Sequence, residues 1–295
     1  MTVTIRPLTP GFAAEVDGLD LRQSLTRDQV AAIEAGMDQF AVLVFHDQPI
    51  SDTQQVAFSR NFGDIELSVA SNVTKPSERR LSTELADISN LDRENNLLAR
   101  DDRRRMFSLG NQLWHSDSAF RATPAKYSLL SARIIPKTGG NTEFADMRAA
   151  YDALDAATKA EIADLICEHS LMYSRGLLGF TDYTPEERQM FTPVQQVLVR
   201  THPVTGRKSL FLASHAGTII GWPMPEARAF LRDLTEHATQ RQFVYAHQWR
   251  QHDLVMWDNR QTMHRARRYR ETEEVRDMRR TTIAGDRPTV QAQAA

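Results

Sequence analysis

The residue pattern predicts a mainly β protein with α inserts, folded as a jelly-roll-type double sheet with flanking helices. Three observations point there. Beyond Trp114 the chain carries short strand-like runs at 127–135, 167–173, 197–201, 209–212, 243–249, 254–257 and 279–284. Turn-forming clusters punctuate them, as in Pro136-Lys137-Thr138-Gly139-Gly140 and His202-Pro203-Val204-Thr205-Gly206. Only two helical stretches interrupt this texture, 147–166 and 225–238, the second with Ala227, Phe230, Leu231 and Leu234 at helical spacing.

The elements before Trp114 are mixed. Thr26-Arg27-Asp28-Gln29 reads as a capping box, in which the Thr26 hydroxyl takes one orphan N–H and Gln29 reaches back to another. Val30, Ile33 and Met37 follow at helical spacing, and the β-branched run Ala41 to Phe45 then predicts a buried strand. Ser51-Asp52-Thr53-Gln54 repeats the capping signature, with Gly63 as the helix stop. From Val73 to Arg105 the chain turns polar and charged, which reads as solvated loop. The segment 73–110 is also placed as an active-site loop or lid, since long loops in compact enzymes often gate sites. A Gln/Ala-rich tail closes the chain, with 286–295 expected to be flexible.

A single domain over 1–295 is expected: 41% hydrophobic and 25% charged residues are ordinary globular values with ample material for a core. The net charge of −2 gives no general attraction to nucleic acid or anionic lipid, so a small molecule is the expected partner. A single cysteine, Cys167, rules out an intrachain disulfide and thiolate metal clusters. With no signal-peptide pattern and no membrane-length apolar run, the expected location is the cytoplasm.

Trp114-His115-Ser116-Asp117 is the most informative tetrapeptide. On extended backbone, residues two apart face one side, so the His115 imidazole and the Asp117 carboxylate converge. A second imidazole completes one face of an octahedron and leaves three positions open, the arrangement of non-haem Fe(II) oxygenases. An HxD alone carries little weight. The downstream run from Leu254 to Arg265, containing Trp257-Asp258-Asn259-Arg260 and His264, and then Arg276 to Thr282, carries more.

With these blocks, and with Gly11 to Leu21 and Gly139-Gly140-Asn141-Thr142-Glu143-Phe144, the chain resembles the taurine dioxygenase superfamily of Fe(II)/2-oxoglutarate enzymes over nearly its whole length. The blocks 111–118, 146–154 and 254–259 resemble the 2,4-dichlorophenoxyacetate dioxygenases, alpha-type branch. The resemblance implies a double-stranded β-helix and an Fe(II) centre held by His115, Asp117 and His264. It further implies 2-oxoglutarate and O₂ as cosubstrates, and hydroxylation of an aryloxyacetate at its side-chain carbon to yield a phenol, glyoxylate, succinate and CO₂. A taurine-like sulfonate or another small carboxylate is the alternative substrate, and a non-enzymatic metal-binding protein the alternative class. A zinc hydrolase fits worse, because no HExxH motif is present. A homo-oligomer is expected by family analogy alone.

Arg276 and Arg280 lie four apart, so on a strand both point inward with Met278 while Asp277 and Arg279 point away. Two inward cations call for two anions. The resemblance assigns the distal carboxylate of 2-oxoglutarate to Arg276 and the Thr142 hydroxyl, and the substrate's carboxylate to Arg280. Asn111 shares the parity of His115 and is either a substrate or cosubstrate contact or a structural amide. His202 and His215 are further substrate-pocket candidates. Phe180 and Tyr183 either cover an aromatic substrate or anchor their loop. Cys167, in an apolar run, reads as an inert buried thiol.

Overall fold

The structure, a computed structural model, describes residues 3–68 and 73–290. The Gln/Ala tail beyond Val290 lies outside the described residues.

Two facing sheets form the jelly roll. The larger runs Thr4–Thr9, Phe12–Asp17, Val42–Phe45, Leu254–Asp258, Tyr127–Ile134, Asp277–Thr282 and Ala86–Asp87, in that spatial order. Its pairings are antiparallel except that of Phe12–Asp17 with Val42–Phe45. Opposite lies a three-stranded antiparallel sheet, Val244–His247, Thr142–Asp146 and Thr262–Ala266. Between them Phe144 packs on Trp257, ring centroids 5.4 Å apart, with Val42, Val44, Leu130, Val255 and Met278 around the pair.

The other face of the large sheet is covered by helices. Leu43, Phe45, Leu129, Leu254 and Met256 pack against Ile33, Met37 and Phe40 of the helix Arg27–Phe40 and against Phe58 of Asp52–Ser59. Residues 42–45 are therefore buried on both sides, which is why the run is continuously apolar rather than alternating. Both capping boxes form, with Gln29 N–H donating to Thr26 Oγ1 at 3.3 Å and Gln54 N–H to Ser51 Oγ at 3.2 Å. Gly63, at φ +138°, ends the 3₁₀ turn Arg60–Phe62 that follows the second helix, and a Cβ there meets Ile283 at 2.9 Å.

Several boundaries differ from the sequence reading, each for a local reason. The helical stretch 147–166 is two helices, Met147–Asp152 and Ala156–Ile162, because Asp155 caps a second start by accepting from Thr158 N–H at 2.9 Å. The run 167–173 is a strand only over Ile166–His169; Ser170 then caps the helix Leu171–Gly176, its hydroxyl accepting from Tyr173 N–H at 3.1 Å. The strands Thr4–Thr9, Phe12–Asp17, Thr142–Asp146 and Thr262–Ala266 lie outside the seven runs, though the last two carry Thr142 and His264.

The charged stretch 73–105 is solvated only in part: Lys75, Arg93, Arg100 and Asp101 are exposed, whereas Arg80, Arg103 and Arg105 are partly buried in ion pairs. Arg80, with its side chain 7% exposed, pairs with Asp87 at 2.9 Å and Asp277 at 2.7 Å; Arg103 pairs with Asp182 and Glu187, and Arg105 with Glu271. Asp277, Asp182, Glu187 and Glu271, all distant in sequence, tie these arginines to the rest of the fold. Among the described residues no helix is long and apolar enough to cross a membrane.

Candidate active site

His115 and His264 are cross-strand partners. They form an antiparallel bridge, His115 N–H donating to His264 C=O at 3.0 Å and His264 N–H to His115 C=O at 2.8 Å, which brings the ring centroids to 4.3 Å. The extended backbone expected through Asp117 ends one residue early, and Asp117 opens a turn. Its convergence with His115 is completed by neighbours: Asp117 N–H donates to Asn259 Oδ1 at 3.0 Å, and Ser128 Oγ donates to Asp117 Oδ2 at 2.7 Å. Asn259 is itself held, its Nδ2 donating to Ser128 Oγ at 2.9 Å and its Oδ1 accepting from Trp257 Nε1 at 3.1 Å.

One ligand atom from each of His115, Asp117 and His264 lies within 4.8 Å of the other two, and all three side chains are buried. His115 Nδ1 lies 2.7 Å from Leu113 C=O, an acceptor only, so Nδ1 carries the proton and Nε2 keeps its lone pair for a cation. Burial, opposed by Asp117, brings the His115 imidazole down to about 4. His264 is lowered well below its ordinary value by burial and then by His115. Burial pushes the Asp117 carboxyl up, but Arg280, then His264 and His115, outweigh it and hold the group ionised. Two neutral imidazoles and one carboxylate are the donor set of an Fe(II) facial site.

Thr142, Arg276, Arg280, Asn111 and the two imidazoles line one cavity, which shares Ile88, Asn111, Ala266, Arg276 and Arg280 with the cleft outside it. The Thr142 hydroxyl accepts from Trp249 Nε1 at 3.0 Å, so its own proton is free to donate. Arg276 is 5% exposed, and no carboxylate of the described residues pairs with it; Ile88 C=O, at 3.4 Å, accepts from its Nη1. Burial alone, only partly offset by Tyr269, brings its guanidinium down to about 10. A buried cation of this kind is a candidate for binding an anionic ligand.

The parity of Arg276, Met278 and Arg280 holds, though the strand begins at Asp277. Register slips between Ile134↔Asp277 and Ala132↔Met278, leaving Arg133 as the extra residue, so the bulge sits on the neighbouring strand. Asp277 and Arg279 turn away to Arg80 and Asp52. Arg280 faces an anion of the chain that strand parity alone does not count: its Nη1 lies 2.5 Å from Asp117 Oδ1, while its Nε is buried without a hydrogen-bond partner among the described residues.

The remaining candidates separate. Asn111 reaches the cavity, but from the 3₁₀ turn Leu109–Gln112 rather than by strand parity with His115. His215 is buried beside the metal ligands, its ring 6.1 Å from that of His115 and its Nδ1 2.8 Å from Ser174 Oγ. His202 is not brought to the site; it lies between Asp258 and Asp38, at 3.3 and 3.7 Å, and lines a different cleft. Phe180 and Tyr183 pack with Phe107 and Phe191 in a buried aromatic cluster that anchors their loop. Cys167 is buried, and burial pushes its thiol up to about 12. Sequence reasoning missed Ser128 and Asn259, which hold Asp117, Trp249, which donates to the Thr142 hydroxyl, and Arg175, which lines the cleft. Asn259 stood within a recognised block; nothing local marked the others.

Known proteins are similar to this chain over nearly its whole length. The chain is 48% identical to the alpha-ketoglutarate-dependent 2,4-dichlorophenoxyacetate dioxygenase of Cupriavidus pinatubonensis, covering 97% of this chain and 99% of that one. It is 38% identical to the (S)-phenoxypropionate/alpha-ketoglutarate-dioxygenase of Sphingobium herbicidovorans, over 96% and 95%. The crystal structure of AAD-2 in complex with Mn(II) and N-oxalylglycine superposes with a TM-score of 0.96 at 62% identity, covering 98% of this chain and 100% of that one. The model of the taurine catabolism dioxygenase TauD, TfdA family matches residues 4–282, and the chain therefore belongs to that family.

Proposed function

We propose that this protein is an Fe(II)/2-oxoglutarate-dependent dioxygenase that hydroxylates an aryloxyacetate such as 2,4-dichlorophenoxyacetate at its side-chain carbon. The observation that carries this reading is the meeting, in one cavity, of the His115, Asp117 and His264 donor set with a buried arginine that no carboxylate of the described residues pairs with. A metal-storage protein has no use for the second feature. The identity to a 2,4-dichlorophenoxyacetate dioxygenase over nearly the full length supports the substrate class.

In this reading His115, Asp117 and His264 hold Fe(II), and Arg276 with the Thr142 hydroxyl binds the distal carboxylate of 2-oxoglutarate. The bound metal and cosubstrate supply O₂ activation coupled to oxidative decarboxylation, releasing succinate and CO₂. Ser128 and Asn259 hold Asp117 in its turn, and Leu113 C=O fixes the His115 tautomer. Arg280, anchored on Asp117, presents the rest of its guanidinium to the substrate's acid group, which sets the distance between the target C–H and the metal. The segment 73–110 walls the cleft and keeps water from it. Hydroxylation next to the ether oxygen yields a hemiacetal that collapses to a phenol and glyoxylate. The location proposed is the cytoplasm, and the assembly a homo-oligomer, which sedimentation tests.

Turnover of phenoxyacetate, with phenol and succinate appearing in equal amounts and only when Fe(II), 2-oxoglutarate and O₂ are all present, is the expected result. Coupled turnover of a sulfonate, with none of phenoxyacetate, overturns the substrate assignment.

A further inference from the structure

Five arginines line the cleft that opens onto the candidate metal centre: Arg105, Arg175, Arg267, Arg276 and Arg280. Three have a carboxylate from the chain. Arg105 pairs with Glu271 at 2.9 Å, Arg267 with Glu143 at 3.7 Å and Arg280 with Asp117 at 2.5 Å. Arg276 and Arg175 pair with no carboxylate of the described residues. The distal carboxylate of 2-oxoglutarate accounts for one of them, Arg276. Arg175 is left, and it is 5% exposed.

The surroundings of Arg175 hold its guanidinium in place without neutralising it. Nη2 donates to Asn111 Oδ1 at 3.3 Å, Nη1 to Ser174 Oγ at 3.4 Å, and Nε is buried with no partner among the described residues. One face stacks on Phe107, with Cζ 4.8 Å from the ring centroid. Another lies against Gly110, where a Cβ meets the guanidinium carbon at 2.2 Å, so only glycine lets the plane approach. Burial brings the Arg175 guanidinium down to about 10 against the opposing effect of Tyr183, and the charge of Arg280 adds a smaller push in the same direction. Two guanidiniums that repel across a cleft are stabilised by an anion between them.

The Asn111 contact has a second effect. Because a cation occupies Oδ1, the amide is oriented, and its Nδ2 remains as a donor on a residue that lines both the inner cavity and the outer cleft.

We propose that Arg175 is a substrate-binding residue: with Arg280, and through the Asn111 amide it orients, it holds the carboxylate of the substrate and makes the enzyme select acids over neutral analogues. This rests on the reading of the chain as a dioxygenase acting on aryloxyacetates. A carboxylate gripped from two sides also defines the direction of the attached carbon, which one guanidinium already paired with Asp117 does less well.

The test compares phenoxyacetate with phenoxyacetamide, each titrated calorimetrically into protein loaded with Mn(II) and N-oxalylglycine, a redox-silent pair. The unmutated protein is expected to prefer the acid. Arg175→Gln keeps hydrogen-bonding groups for Asn111 and Ser174 but loses the charge; it should weaken acid binding at least tenfold while amide and N-oxalylglycine binding change less than twofold. Arg175→Lys should fall between. An acid preference that Arg175→Gln leaves intact, or equal weakening of acid and amide, overturns the role. Arg280→Gln tests the same point with Arg175 untouched: part of the acid preference should persist once Mn(II) loading is verified by electron paramagnetic resonance. Its complete loss assigns recognition to Arg280 alone and overturns the proposal. Failure of the unmutated protein to bind phenoxyacetate sinks the aryloxyacetate reading and this role with it, whereas intact binding with an unaltered Arg175→Gln sinks only the role.

Discussion

Ser128→Ala removes one hydroxyl from a fully buried position and leaves the backbone of the central strand Tyr127–Ile134 unchanged. That hydroxyl donates to Asp117 Oδ2 at 2.7 Å and accepts from Asn259 Nδ2 at 2.9 Å. A hydrogen bond to a charged acceptor contributes roughly 1.5–3 kcal/mol, and an orphaned buried donor costs about 1–3 kcal/mol. The two effects fall on different observables. Loss of the Ser128 donor frees the Asp117 carboxylate to rotate toward Arg280, its other partner, and away from the two imidazoles. Loss of a supporting residue of this kind lowers metal affinity by roughly 10–100-fold, which agrees with the first figure at about 1.4 kcal/mol per tenfold. The orphaned Asn259 amide instead lowers global stability. Metal affinity is measured by competition against a chelator of known strength, and stability by urea unfolding of the metal-free protein. Ser128→Ala with native metal affinity and a lowered unfolding midpoint would falsify the view that Ser128 orients the ligand, leaving it a packing role. Ser128→Cys, which retains a weak donor, should lie between the two.

His115→Ala, Asp117→Ala and His264→Ala should each abolish 2-oxoglutarate turnover with near-native circular dichroism, because the core is built from other residues; full activity in any one removes that residue from the ligand set. Arg276→Ala should weaken 2-oxoglutarate binding by about 2–5 kcal/mol, the range for a buried charge pair losing one partner, with Arg276→Lys milder; an unchanged titration curve refutes the assignment. His169 is fully buried with neither ring nitrogen partnered among the described residues, and burial brings it from its ordinary 6.5 down to about 3. Between those values the unfolded chain holds the extra proton, so His169 makes stability fall as pH drops from about 6.5 towards 3, with a slope of up to about 1.4 kcal/mol per pH unit. His169→Phe should flatten the acid limb of stability against pH, followed by denaturant unfolding from pH 7 to pH 4; an unaltered slope shows that His169 is already protonated in the fold.

Features encoded within a turn or two of chain were legible from the residues alone. Two capping boxes, the doubly buried run at 42–45 and the helix 225–238 are of this kind. The HxD and the alternation of Arg276, Met278 and Arg280 were legible for the same reason, and the bulge at Arg133 did not disturb them because it fell on the neighbouring strand. Which groups meet across sheets was settled by packing instead. His115 joins His264 through a backbone bridge 149 positions away in sequence, and Asp117 is aimed by Ser128 and by Asn259, 142 positions away. The arginines of the stretch 73–105 look solvated because their partners, among them Asp277, Asp182 and Glu271, are distant in sequence. Asn111 reached the cavity by a 3₁₀ turn that strand parity does not describe, and His202 was withdrawn from it by Asp258. Periodicity tells which side of an element a residue faces; it says nothing of what stands opposite, because that depends on how separate elements pack and on where buried charges find their counter-ions.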